Sequence, residues 1–306
     1  MDLFWPLAAV RWLHLGSLFV LFGSTLFEIY GEPKTHIAAS QVRTGQIWLA
    51  ILALVSSGCW AGLAIVDMSE SLRSLGSTAT WHAFFWETYF GAIWVFRFAF
   101  LVVLLLAVIL RAFFPTFLIG AGSITAISAT LLVSLAWLGH AAAEHGTARA
   151  EGLFALGCHI LAAGAWLGGL VPLSAKLRRY NRSAAAESDA MSSGVRLSLE
   201  RFSNMGIAAV FVIVCSGASQ AYLRLNSSAD LFATLYGRVL FAKIVLFVIL
   251  FGVAAMNRYV LLPRLSGYAS DPQPVRSLAH TVLTEQVLGG TIVGLAVVLG
   301  SLPPSN

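Results

Sequence analysis

An all-α membrane protein of about eight transmembrane helices, in two parallel four-helix repeats, is the fold class this sequence predicts, on three observations. Composition is the first: of 306 residues, 58% are hydrophobic and only 11% charged, with a mean hydropathy of +0.82. No water-soluble domain keeps that much apolar material off its surface. The second is eight apolar runs, each near the roughly 20 residues a bilayer core requires. The third is an internal likeness between about 1–138 and about 150–306. Helices are preferred to a barrel because the runs are continuous rather than alternating, and because a helix satisfies its backbone groups internally.

Taken in order, the runs cover Leu7 to Tyr30, Gly45 to Val66, Phe90 to Phe113, Phe117 to Leu138, Leu153 to Leu173, Met205 to Leu223, Leu235 to Tyr259, and His280 to Leu299. Met1 to Pro6 carries an acid and no base, so it lacks the basic start of a cleaved signal peptide and the first helix is expected to be retained. The longest polar stretch, Lys176 to Arg201, reads as a loop, leaving one polytopic domain. Most basic residues fall on one side: Lys34, Arg43, Arg111, the cluster from Lys176 to Arg201, Arg258, Arg264 and Arg276, against Arg11, Arg73, Arg149, Arg224 and Arg238 on the other. The richer side is expected to be cytoplasmic, which makes both termini and the segments 67–89, 139–152 and 224–234 periplasmic. Topology accounts for the net charge of +5 without nucleic acid as a partner. Cys59, Cys158 and Cys215 all lie within apolar runs, which argues against a disulfide framework and for buried thiols.

The halves correspond at several points. Thr88-Tyr89-Phe90-Gly91 with Arg97 matches Thr234-Leu235-Tyr236-Gly237 with Lys243, each base nine residues after its threonine. His14 with Gly23 matches His159 with Gly168, and Val55-Ser56-Ser57-Gly58 matches Val214-Cys215-Ser216-Gly217. Four crossings per half make the repeats parallel, related by an axis along the membrane normal, so that equivalent residues share a depth.

Ionisable residues inside a membrane are costly, and they are the first places to look for chemistry. His14 and His159 should face one another near the periplasmic side, a pair that suits a transition metal or a haem iron; singly, each is also what a histidine bonded to a carbonyl looks like. At the end of the fourth run, His140 and Glu144 share a helix face, and Gly146 lets the chain unwind to bring in His145. Imidazole and carboxylate there suit Cu(II) or zinc, or form a solvated loop. Cys158 points about 100 degrees away from His159 on an ideal helix, which favours packing over shared ligation. Met68 is a candidate soft ligand at the entry, and Trp166 a candidate wall beside His159. Arg97 and Lys243 snorkel, anchor the core, or meet the propionates of a haem b held axially by His14 and His159. Glu285, near the cytoplasmic end of the last run, either takes an exiting cation or caps the bundle. No phosphate-binding loop or phosphorylated-aspartate signature is present, so no ATP-driven pumping and no catalytic residue is expected.

At these residues the sequence resembles the CopD/PcoD family of bacterial copper-resistance membrane proteins. The likeness is carried by His159-Ile160-Leu161-Ala162-Ala163-Gly164-Ala165-Trp166-Leu167-Gly168-Gly169-Leu170, by Gly139-His140-Ala141 and Arg201-Phe202-Ser203, by Tyr236-Gly237-Arg238 with Lys243, and by Asn257-Arg258, Pro263-Arg264-Leu265, Glu285 and Leu302-Pro303-Pro304. It is strong from about residue 139 onward and looser before. The resemblance implies an inner-membrane protein that moves copper, as Cu(I) or Cu(II), toward the cytoplasm with a separate periplasmic CopC-like copper-binding partner. The family's histidines fall on His14, His140 and His159; His145 and Glu144 are added from spacing. Methionine-rich loops are missing. A haem protein acting in electron transfer or copper reduction is the alternative that the paired histidines and bases support.

Overall fold

The computed structural model describes residues 3–31, 39–114, 119–139, 146–183, 189–225, 227–264 and 273–303. The helices are α1 (Phe4–Tyr30), α2 (Ala39–Ser69), α3 (Thr78–Trp86), α4 (Tyr89–Phe113), α5 (Ala121–Val133), α6 (Gly146–Ser183), α7 (Asp189–Arg224), α8 (Asp230–Ala233), α9 (Leu235–Met256), α10 (Leu262–Arg264) and α11 (Gln273–Leu299). A 3-10 segment, Ser134–Leu138, continues α5, and a π-helical turn, Asn257–Leu261, joins α9 to α10. Eight helical stretches among the described residues are long and apolar enough to cross a membrane: α1, α2, α4, α5 with its 3-10 extension, α6, α7, α9 through α10, and α11. The eight predicted runs and the eight helices coincide.

The expected loop from Lys176 to Arg201 is a correction. Residues 176–183 and 189–201 are helical and continue α6 and α7 past the apolar runs. Alanine, leucine, arginine and glutamate are good helix formers whether or not lipid surrounds them, so hydropathy ends before the helix does. The last helix likewise starts at Gln273 rather than His280. Glu285 is therefore about 18 Å along α11 from its start, well inside the span rather than near its end.

Helix packing divides the bundle in two. α1 packs on α2 and α5, with α4 closing against α2 and α5. α6 packs on α7 and α11, and α9 lies against α11. The two groups join mainly through α1 and α6, and the joint is made of glycine. A Cβ on Gly168 would stand 1.8 Å from the Phe19 carbonyl oxygen, and one on Gly23 would stand 2.4 Å from the Gly168 backbone. The missing side chains let the backbones touch, as at close crossings of membrane helices generally. Leu18, Phe22, Leu104 and Leu131 fill the first group; Trp166, Leu170, Phe202 and Leu250 fill the second.

Entry into α4 and α9 is built identically. Thr88 and Thr234 cap them, each accepting from the glycine N–H three residues on, Gly91 at 2.8 Å and Gly237 at 2.9 Å. Each threonine hydroxyl also donates to the carbonyl four residues back, Phe84 and Asp230. These short preceding helices press so close that a Cβ on Gly91 or Gly237 would overlap their carbonyls, at 2.0 and 1.9 Å.

Candidate functional site

Three helices contribute one side chain each to a constellation that occurs in both groups. In the first, α1 brings His14, α2 brings Ser56 and α4 brings Arg97. His14 is completely buried, and its Nδ1–H donates to the Ala53 carbonyl at 2.9 Å, with Ser56 Oγ at 3.3 Å. Arg97, also completely buried, donates through Nη2 to His14 Nε2 at 2.6 Å. A guanidinium only donates and a carbonyl only accepts, so both ring nitrogens of His14 are assigned and both are used. Nη1 of Arg97 donates to the Leu131 carbonyl at 2.7 Å and to the Ser134 hydroxyl, at the point where α5 tightens into its 3-10 extension. Arg97 does not snorkel; it ties α1, α4 and α5 together.

In the second group, α6 brings His159, α7 brings Ser216 and α9 brings Lys243. Ser216 gives its proton to the Val212 carbonyl at 2.5 Å, so its oxygen accepts from His159 Nδ1–H at 3.0 Å. His159 Nε2 is left as a lone pair with no hydrogen-bond partner among the described residues. The ring is half-buried, and Gly217 passes beside it with no side chain to cover it. Lys243 donates to no described residue, unlike Arg97.

What surrounds the two histidines differs as much. Trp60 lies edge-on to His14, ring centres 5.9 Å apart, and packs at 5.0 Å against Trp94, with the Arg11 guanidinium above it. These rings seal α2 against α4. Around His159, Gln220 and Leu240 border open space instead, and α7 makes no comparable packing with α9 among the described residues.

Three cavities lie along this side of the bundle and its centre. One of about 280 Å³ lies between the two groups and is lined by His14 and Arg11 on one side and His159, Arg224 and Lys243 on the other. A second, of about 400 Å³, continues from His159 and Lys243 to Trp166 and is bordered by the exposed Val214 and Val248 of α7 and α9. Trp166 also lines the third, of about 440 Å³, which reaches Asn257, Arg258 and Glu285. Trp166 is buried and meets Phe247 edge-on at 6.3 Å, so it is the wall between the second and third cavities. Glu285 accepts from the Asn257 side-chain amide at the start of the π-helical turn.

Two stretches of the chain match known family descriptions. Residues 1–150 match "Copper resistance protein D-like, N-terminal domain" and residues 196–299 match "Copper resistance protein D". The chain belongs to the copper resistance protein D family. Among relatives, it is 27% identical to Copper resistance protein D of Pseudomonas syringae pv. tomato, with 97% of this chain and 96% of that one aligned. It is 25% identical to Inner membrane protein YebZ of Escherichia coli (strain K12), with 97% of both chains aligned. It is 29% identical to Copper transport protein CutJ of Bacillus subtilis (strain 168), over 71% of this chain and 37% of that one. No solved structure matches it.

Within this member of the copper resistance protein D family, the expected site residues fare unequally. His14 and His159 both line the cavity between the two groups. His140, Glu144 and His145 lie outside the described residues. Cys158 is half-buried and Met68 is exposed at the end of α2; neither lines the cavity between the groups. Cys59 and Cys215 correct the expectation of buried thiols, since both are exposed on the outer, lipid-facing surface. An apolar run does not say which way a residue faces. Ser57 is not the partner of Ser216, as the motif alignment had it: Ser56 is the serine beside His14, one residue away in register. Among the described residues, no three His, Cys, Asp or Glu side chains gather into a ready metal cage. Sequence reasoning also missed the cluster of Glu28, Gln46 and Arg111, in which Arg111 bonds Glu28 at 2.5 Å and Gln46 donates to Glu28 at 2.7 Å. Two opposite charges at matching helix ends were the available signal.

Proposed function

We propose that this protein carries copper across a bacterial inner membrane, from periplasm to cytoplasm, and that His159 is the ligand that receives the ion within the bundle. It acts as a carrier rather than an enzyme. The observation that carries this is the free Nε2 of His159, a neutral-imidazole lone pair aimed into connected cavities and a good donor to either copper oxidation state. The route runs from the cavity between the two groups, past His159, to the Trp166 wall, and beyond it to Asn257 and Glu285. His14 has both nitrogens engaged and serves as a structural counterpart; a haem b held by both histidines would require Arg97 to release His14. The two groups are parallel repeats with both termini periplasmic. The periplasmic mouth carries His140, Glu144 and His145, which take copper from a separate CopC-like partner. Parallel capping, parallel histidine–serine pairs and the excess of basic residues at the opposite face support this arrangement.

The test is copper accumulation by cells lacking their own copy and expressing wild type, His159→Ala or His14→Ala, together with elemental analysis and an absorption spectrum of each purified protein. Copper-dependent accumulation that His159→Ala abolishes is the expected result. Accumulation unchanged in His159→Ala ends the proposal, and a Soret band replaces it with haem chemistry.

A further inference from the structure

The cavity of about 440 Å³ beyond Trp166 is walled largely by apolar groups, among them the rings of Trp166, Phe202, Phe211 and Phe251, with Asn257 and Glu285 as polar groups between them. Both polar side chains are more than nine-tenths buried, Asn257 being 9% exposed and Glu285 3%. The Asn257 amide N–H donates to Glu285 Oε1, which uses one half of the amide. The other half, Oδ1, is buried without a hydrogen-bond partner among the described residues. A bare buried acceptor is costly, and each one in a native fold calls for a donor that the chain itself does not supply. Asn257 also opens the π-helical turn Asn257–Leu261, a distortion that recurs at functional sites. Arg258, next on that turn, is engaged with Ser203 at 2.6 Å and with the ring of Tyr259. The cavity opens toward the bilayer. Phe211 of α7 and Phe251 of α9 line it while remaining exposed on the outer surface, and α7 and α9 barely touch among the described residues.

We infer that this cavity binds a lipid-soluble, hydroxylated aromatic ring of the quinol class, entering between α7 and α9 and donating a hydroxyl proton to Asn257 Oδ1. The ring packs against the aromatic walls with the edge and face contacts that such pairs favour. Its O–H is the donor that Oδ1 lacks. An acyl chain offers neither a flat face nor a donor, so it fills the space without meeting the amide. An apolar pocket with one or two placed polar groups is the ordinary form of a small-molecule site, and this volume falls in the usual range. The oxidised quinone carries carbonyls in place of hydroxyls and has no proton to give, so the site prefers the reduced ring. This inference stands without the copper reading; where copper does leave past Trp166, ring and ion take turns in the same cavity.

The test uses the full-length protein in detergent, free of copper and under argon, titrated with duroquinol and with its dimethyl ether, which keeps the ring and loses both O–H groups. Binding is followed by titration calorimetry and by the rise in unfolding temperature that a ligand of the folded state produces. Saturable binding of duroquinol is expected, with the ether weaker by about tenfold or more. Asn257→Leu should erase that preference, leaving both compounds bound as weakly as the ether binds wild type. Ala255→Trp, which sets a ring inside the cavity, should block both. Asn257→Leu also takes a donor from Glu285; if that variant does not fold, the ether comparison in wild type and the block in Ala255→Trp decide without it. Absence of saturable duroquinol binding, equal binding of the two compounds by wild type, or binding that Ala255→Trp leaves unchanged overturns the site. Since no copper is present, none of these results bears on whether His159 carries the metal.

Discussion

His14 and His159 occupy matching places in two similar groups of helices, yet one is sealed and the other is open. Arg97 bonds His14 directly, and Trp60 and Trp94 fill the gap between α2 and α4. Lys243 makes no bond to His159, whose Nε2 has no hydrogen-bond partner among the described residues, and Gln220 and Leu240 leave the space between α7 and α9 unfilled. Thus the same three-helix constellation serves one half as a buried polar lock and the other as a chamber. Duplicate histidines in a sequence need not share a job; what their neighbours do with the second ring nitrogen decides it.

The contrast breaks most sharply at the histidines themselves. His14→Ala takes from a buried guanidinium one of its three partners and empties the volume of a buried ring, and is expected to cost about 3 kcal/mol of stability, measured by denaturant unfolding in detergent, whereas His159→Ala should unfold near wild type and lose copper accumulation. Equal destabilisation by the two would mean that the sites are alike after all. Next come the bases. Arg97→Met leaves His14 Nε2 without its donor and the Leu131 carbonyl with only the Ser134 hydroxyl, a loss of about 1 to 3 kcal/mol, while Lys243→Met, which removes no hydrogen bond among the described residues, should cost nothing. Filling the open chamber sharpens the comparison further: Gln220→Trp places in α7 the kind of ring that Trp60 supplies in α2. Copper accumulation several-fold lower, with stability changed by about 1 kcal/mol or less, is the outcome expected. Smallest of all, Cys59→Ser and Cys215→Ser should shift stability by about 0.5 kcal/mol or less and leave copper handling intact, because both thiols face outward.

Much of this was legible before any coordinates. Hydropathy is a sum over some twenty residues, so it finds each span robustly, and the threonine–glycine entries to α4 and α9 are local motifs that survive in the sequence unchanged. Position along a helix can be counted from its ends, and His14 and His159, each nine residues before a glycine of the α1–α6 crossing, both line one cavity. Facing could not be read in the same way. A single residue turns about 100 degrees on a helix, enough to exchange Ser57 for Ser56 or to move Cys215 from core to lipid. The seal at Trp60 and Trp94 was invisible for a different reason: tryptophans near a membrane surface ordinarily belong to the interfacial belt, and only packing shows that these two point inward. Helix length beyond the bilayer, as in α6 and α7, leaves no hydropathy signal at all.

The crossing of α1 and α6 at Gly23 and Gly168 works as a hinge pin of bare backbone. His14 and His159 each sit nine residues from it, about 13 Å along their helices, so the two lever arms are equal. Each degree of swing about the pin displaces either imidazole by only about a quarter of an ångström over that arm. A joint with no side chains to compress has little play, and the spacing across the chamber is held by the backbone at the crossing as much as by anything the histidines themselves touch.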